Sequence, residues 1–157
     1  EIRLSLVGSE MCIRDRISTY YTCCTEAFPN IFTFSSPAEA AWTAIHAVAG
    51  GYDGYLRWST MSWPLDPLRD SRFRTWAAGD TYCLYPGPRS SIRFERLVEG
   101  LQCCEKILLL REELTRRKAT RALDKLNRLV GNFMPGNSTA KTAAAVVNEL
   151  NDYVNSL

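Results

Sequence analysis

The apolar and polar positions of this chain change period several times, and each change predicts an element. β-Branched and aromatic residues crowd "ISTYYTCC", which predicts a strand over 19–23. The loop "TEAFPNIFTF" separates it from "SSPAEAAWTAIHAVAGG". There Ser36 is placed to cap, Pro37 fits the first helical position, and Glu39 stands three residues after Ser36, as a capping box requires. Gly50 and Gly51 stop this helix, predicted over 37–49. "YDGYLRW" follows as a second strand over 53–58, and "DTYCLYP" reads as a third over 81–85. Between them runs a long loop rich in Pro and Asp, "STMSWPLDPLRDSRFRTWAAG".

The remainder is helical. Ser90 or Ser91 caps a helix over 92–110, with Phe94, Leu97, Val98, Leu101 and Leu108 at helical spacing on one face. Leu123, Leu126 and Val130 share a face of the next helix. Pro135 and Gly136 break the chain, and Ala143, Val147, Leu150 and Val154 form the stripe of a last helix. Strands alternating with helices imply parallel βα units, so the fold class is α/β. A closed βα barrel needs eight such units and about 250 residues. The expectation is therefore the C-terminal βα units of an incomplete TIM-type barrel followed by α-helices. The predicted organisation is a non-native segment at 1–16, barrel units at 17–114 and a helical extension at 115–157.

Composition narrows the classes without choosing one. The 157 residues are 46% hydrophobic and 23% charged, which is enough for a core and argues against disorder. A net charge of +2 does not point to nucleic acid. The basic stretch "REELTRRKATRALDKLNR" is interrupted by Glu112, Glu113 and Asp124, lacks interleaved aromatics and reads as a solvated helix face. No run approaches the roughly 18 apolar residues of a membrane-spanning helix. Cys23, Cys24, Cys83, Cys103 and Cys104 match no zinc spacing and read as free thiols. The single histidine, His46, lies within the first helix and is expected to be structural. No cofactor is expected.

The segment "SLVGSEMCIRDR", Ser5 to Arg16, has neither helical nor strand period. Back-translated, Leu6 to Asp15 matches a transposase-type sequencing adapter read in frame. The segment is expected to be an assembly artefact, to be set aside from fold reasoning as a tag would be.

The central motifs resemble a known family. "YYTCC…PAEAAW", "GYDGYLRW" and "DPLRDSRFRTWAAGDTYCLYPGPRSSIRFERLVEGLQCCEKI" resemble the C-terminal part of the catalytic domain of glycoside hydrolase family 123, also known as domain of unknown function 4091. The resemblance runs from about Ser18 to Arg111, and is most specific between Asp66 and Glu105. It implies a retaining β-N-acetylgalactosaminidase with substrate-assisted catalysis, an exception to the two-carboxylate scheme. In that scheme the substrate's acetamido oxygen attacks the anomeric carbon, an Asp orients the acetamido group, and the adjoining Glu is acid and base. No Asp-Glu dipeptide occurs in this chain. No catalytic residue is therefore assigned, and the fragment alone is expected to be inactive. The implied partner is a carbohydrate with a terminal N-acetylhexosamine.

Substrate contacts are expected at the C-terminal ends of the strands, where βα barrels build their sites. Aromatic rings suit the apolar faces of a sugar, and fixed polar groups suit its hydroxyls. The candidates are Trp58 and Trp63, then Tyr21 and Tyr85, with Arg57 as the polar member. Asp66, Asp70, Arg72 and Asp80 are read as loop locks. Asp53 and Asp80 are expected near the strand starts, at the end opposite Cys23, Trp58 and Tyr85. The run Ser59-Thr60-Met61-Ser62 departs from the family pattern, in which an aromatic and an Asn or Asp stand between the two Trp positions. The alternative to an enzyme fragment is a non-catalytic carbohydrate-binding or structural relative of the barrel.

Overall fold

In the computed structural model, β1 (Thr19–Tyr21) and β2 (Gly54–Leu56) pair in parallel, with Thr19 opposite Gly54, Tyr20 opposite Tyr55 and Tyr21 opposite Leu56. The described residues are 17–22, 24–72, 75–87 and 89–157. The 1–16 segment and Cys23 lie outside them, and so do the expectations that fall there. Parallel neighbours need a crossover, and here it is α1 (Pro37–Gly50). Strand alternation then sorts the side chains. Tyr20 points toward α1, where its hydroxyl donates to the Thr43 carbonyl and its ring meets His46 at 4.6 Å. Tyr21 and Leu56 face the other way and are exposed.

The start of α1 follows its sequence signals. Pro37 opens the helix, and the Ser36 amide donates to Glu39 Oε1 at 3.0 Å. The second Glu39 oxygen takes the Asn30 amide at 3.1 Å. One buried carboxylate thus satisfies two backbone donors and ties the preceding loop to the helix. Gly51, at φ +71°, closes the helix in the left-handed region, where a glycine carries no Cβ penalty.

Three further helices follow: α2 (Ile92–Arg116), α3 (Thr120–Gly131) and α4 (Ala143–Ser156). Ser91, rather than Ser90, caps α2, its hydroxyl accepting from the Phe94 amide at 3.2 Å. The buried face of α2 is not the leucine stripe expected from spacing. Gly100, Cys103, Cys104, Ile107 and Leu114 are buried, whereas Leu101 and Leu108 are half exposed. The cause is close packing of α1 on α2. A Cβ on Gly100 would stand 2.6 Å from the Ala41 carbonyl oxygen, so only glycine admits α1 at this distance. Cys104 Sγ lies against the Ala44 carbonyl in the same seam, at 3.2 Å.

The last two helices complete the core. Ala143, Val147, Leu150 and Val154 are all buried, as the stripe predicts. With Leu126, Val130 and Phe133 they form one cluster with Trp42, Ile45 and Ile107. Residues of the predicted 115–157 extension therefore share a core with α1 and α2. His46 is structural in this setting. Its ring stacks on Trp42 at 5.2 Å, and Nδ1 donates to the Phe133 carbonyl at 2.6 Å. Burial lowers its pKa below the ordinary imidazole value, against the opposing effect of that bond.

The predicted third strand is not a strand. Backbone groups of 81–85 are spent elsewhere: Ser62 N donates to Thr81 O, Cys83 N and Leu84 N to Thr60 O, and Tyr85 N to Arg89 O. Isolated antiparallel bridges join Met61 to Tyr82 and Tyr85 to Arg89. The segment folds back on the loop after β2 and does not lie beside β2. Glycines in the left-handed region at Gly79 and Gly87 bracket the segment with turns. Among the described residues the architecture is a mixed α/β unit with four helices and a two-stranded parallel sheet.

Candidate functional site

The C-terminal end of β2 gathers most of the aromatic and charged groups of interest. Arg57, the first residue past β2, has a buried side chain engaged through both terminal nitrogens. Its Nη1 donates to Asn30 Oδ1 at 3.2 Å and to the Tyr55 hydroxyl at 3.3 Å. Its Nη2 donates to Asp80 Oδ1 at 2.8 Å and to the Asp80 carbonyl at 2.6 Å. The Thr22 and Tyr55 hydroxyls lie 2.9 Å apart, so the network reaches the end of β1. A buried ion pair of this kind is stable only when its remaining polar atoms are satisfied, and here both terminal guanidinium nitrogens have protein partners.

Asp80 corrects one sequence-based expectation. It does not sit at the far end of the sheet from Trp58. Its Oδ2 accepts from Trp58 Nε1 at 3.3 Å. The reason is the return of 81–85 onto the 60–62 loop, which carries Asp80 to the C-terminal end of β2. Asp53 does lie at a strand start, where its Oδ2 takes the Ser18 amide at 2.6 Å.

The rings are exposed and arranged in two groups. Trp58 is 43% exposed and packs against Trp76, 38% exposed, with centroids 5.2 Å apart and planes tilted by 56°. Trp63 belongs to the second group. Its Nε1 donates to the Leu84 carbonyl at 2.8 Å, which fixes the ring beside Tyr85. Trp63 and Tyr85, with Met61, Leu84, Arg89 and Phe94, line a hollow of about 380 Å³. Tyr85 meets the Tyr82 ring edge-on at 5.3 Å. Tyr21 stands apart, on the exposed sheet face with Leu56.

Sequence reasoning thus finds Trp58 with Arg57, and Trp63 with Tyr85, but it misses Trp76 and Asn30. Trp76 gave a usable signal, an aromatic in a polar loop just before the turn at Gly79. Asn30 gave none, because only the fold brings it to Arg57. Asp70 and Arg72 form a local bidentate pair, with contacts of 2.8 and 2.7 Å, which holds the Asp70 carboxyl at about 2. Among the described residues no cluster of His, Cys, Asp and Glu is arranged to hold a metal ion. None of their helices is long and apolar enough to cross a membrane.

Comparison with known proteins settles the family. Residues 8–110 match the family described as "Glycoside hydrolase 123, catalytic domain". The chain belongs to glycoside hydrolase family 123. A family 123 glycoside hydrolase from Clostridium perfringens, whose structure was analysed for the details of glycolipid glycan hydrolysis, is similar in fold, with a TM-score of 0.74 at 24% identity. The likeness covers 89% of this chain and 27% of that one, so the chain spans about a quarter of that enzyme's length. No curated protein matches the chain. The family 123 match takes in the capped helix α1, both strands, the Arg57–Asp80 pair and all four tryptophans.

Proposed function

We propose that this chain supplies part of the sugar-binding wall of a family 123 glycoside hydrolase acting on a terminal N-acetylhexosamine, N-acetylgalactosamine first among them. The observation that carries the reading is the set of exposed rings past the end of β2, namely Trp58, Trp76 and Trp63. Large exposed aromatics with their edges fixed by hydrogen bonds are suited to stacking on the C–H faces of a pyranose. In this reading β1 and β2 are neighbouring strands of a βα barrel whose other strands lie outside the chain. The α1 side of the sheet is the outside of that barrel. Tyr21 and Leu56 then face its interior, while Trp58, Trp63 and Tyr85 rise at the C-terminal end, where barrel sites are built. Arg57 supports this wall from beneath through Asp80 and Asn30, without touching the sugar.

The chemistry belongs to the rest of the barrel. A substrate-assisted reaction needs an Asp to orient the acetamido group and a neighbouring Glu to protonate the leaving oxygen, and no Asp-Glu pair occurs here. The purified chain should therefore bind N-acetylgalactosamine weakly and leave a chromogenic N-acetylgalactosaminide intact. Tryptophan fluorescence should respond to N-acetylgalactosamine and lose most of that response in Trp63→Ala and Trp58→Ala. An unresponsive wild-type chain would remove the sugar-wall reading, and turnover by the chain alone would overturn the assignment of catalysis to the remainder.

A further inference from the structure

Asp80 ties its own turn to the segment that follows β2, and its carboxylate is divided between two consecutive residues there. Oδ1 belongs to Arg57 and Oδ2 to the indole N–H of Trp58. Its side chain is 1% exposed, in contrast to the ring it holds. An exposed indole needs no such partner, because water satisfies its N–H. Burying a carboxylate is costly unless it is paired and hydrogen-bonded. Arg57 supplies the charge partner at Oδ1 and the Trp58 indole satisfies Oδ2, and that same bond fixes one edge of a ring that is otherwise open.

The turn that presents Asp80 is itself held from behind. Arg93, buried beneath it, donates through Nη1 to the Gly79 carbonyl at 2.9 Å and to the Ile31 carbonyl at 2.7 Å. The Thr33 amide donates to the Ala78 carbonyl at 2.9 Å. Gly79 has φ +81°, and a Cβ there would stand 2.6 Å from Arg93 Nη1. The turn is thus clamped by Arg57 on one side and Arg93 on the other. Trp58 is gripped at its edge by Asp80 and flanked by Trp76, with much of its surface left open.

We infer that Asp80 is a positioning residue for carbohydrate binding: it holds the Trp58 ring in one orientation against Trp76, ready to receive a sugar face. A ring fixed in advance has less rotamer freedom to lose when a ligand docks, and binding sites gain from such support. This inference rests on the reading of Trp58 as part of the sugar wall.

The test uses the full chain with ¹⁵N-labelled tryptophan and N-acetylgalactosamine as the probe. In the wild type, the Trp58 indole resonance should move during the titration. Before any sugar is added, its N–H should already have an order parameter in the rigid range, about 0.85. Asp80→Asn has one acceptor oxygen for two donors, and should weaken binding by about five- to tenfold, the scale of one hydrogen-bonded anchor. In a Trp58→Phe background, which has no indole N–H, Asp80→Asn should cost nothing more. The Trp42 indole resonance, remote from this site, reports that each variant is folded. Should Asp80→Asn not fold, the wild-type order parameter decides alone. A Trp58 resonance that ignores the sugar would sink the sugar-wall reading and this inference with it. A Trp58 resonance that responds while Asp80→Asn binds like wild type would overturn only the role of Asp80. So would an equal loss in the Trp58→Phe background, or an indole that becomes rigid only on binding.

Discussion

The indole nitrogen of Trp42 donates to the Ser138 hydroxyl at 2.6 Å, across 96 positions of sequence. Ser138 passes the interaction on, donating to the Asn132 carbonyl at 3.0 Å. The first helix is thereby bolted to the break between α3 and α4, deep in a core that includes Phe133 and Leu150. Ser138→Ala strands a buried indole N–H, which costs about 1–3 kcal/mol. Urea denaturation followed by Trp42 fluorescence measures it. Removing residues 115–157 should abolish cooperative unfolding altogether, and a truncated chain with an unchanged midpoint would show that the extension is dispensable.

Gly100 sets the distance between α1 and α2. Gly100→Ala adds a methyl where the Ala41 carbonyl already stands, so the helices must part. The gain in helix propensity is about 1 kcal/mol, and overpacking costs about 1–3 kcal/mol. The expected outcome is net destabilisation, with a lower thermal midpoint. Gly100→Leu should lower it further, since the clash is with backbone and has no flexible side chain to absorb it.

His46 gives stability a pH dependence whose sign follows from its burial. Its folded pKa is lowered, so the unfolded chain takes up a proton that the folded chain refuses. Its contribution is complete above about pH 6.5. It is lost as the pH falls from there through the lowered folded value. The wild-type urea midpoint should fall between about pH 7.5 and pH 5.5, and fall less in His46→Gln. Glu39 acts in the opposite direction. Burial raises its pKa, so stability rises as the pH falls through the raised value toward that of the unfolded chain.

Gly79→Ala should dislodge the turn that carries Asp80. The position combines φ +81° with contacts under 3 Å to Arg93 and Thr33, so backbone strain and steric clash act together. A loss of about 2–4 kcal/mol is expected. Trp58 should become more mobile, seen as a shifted emission maximum. A neutral Gly79→Ala would mean that the turn tolerates rearrangement.

Much of this fold is legible in local sequence because its causes are local. Ser36, Pro37 and Glu39 announce α1, and the spacing of Ala143, Val147, Leu150 and Val154 gives the buried face of α4. Thr81 to Tyr85 mislead, because their β-branched and aromatic character does not say which backbone groups they will meet. Their hydrogen bonds go to Thr60, Ser62 and Arg89, partners that only the loop geometry selects. The leucine stripe of α2 misleads for a related reason. Small residues at Gly100 and Ala41 let the helices approach closely, and that approach buries Cys103 and Cys104 ahead of Leu101 and Leu108. Trp58 and Trp63 could be proposed from their place after a strand. Asp80 could not be placed with Trp58, because the contact depends on the same return of the chain that removed the third strand.

The close seam between α1 and α2 has a chemical consequence. Burial pushes the Cys103 thiol up to about 11 and the Cys104 thiol to about 12, so neither offers a thiolate to a reagent while the helices stay together. Among the described cysteines, Cys24 is exposed while Cys83 is buried like this pair. Each alkylation at Cys104 therefore marks one parting of α1 from α2. Its rate under native conditions follows the opening of the core, and the alkylating reagent is the only label it needs.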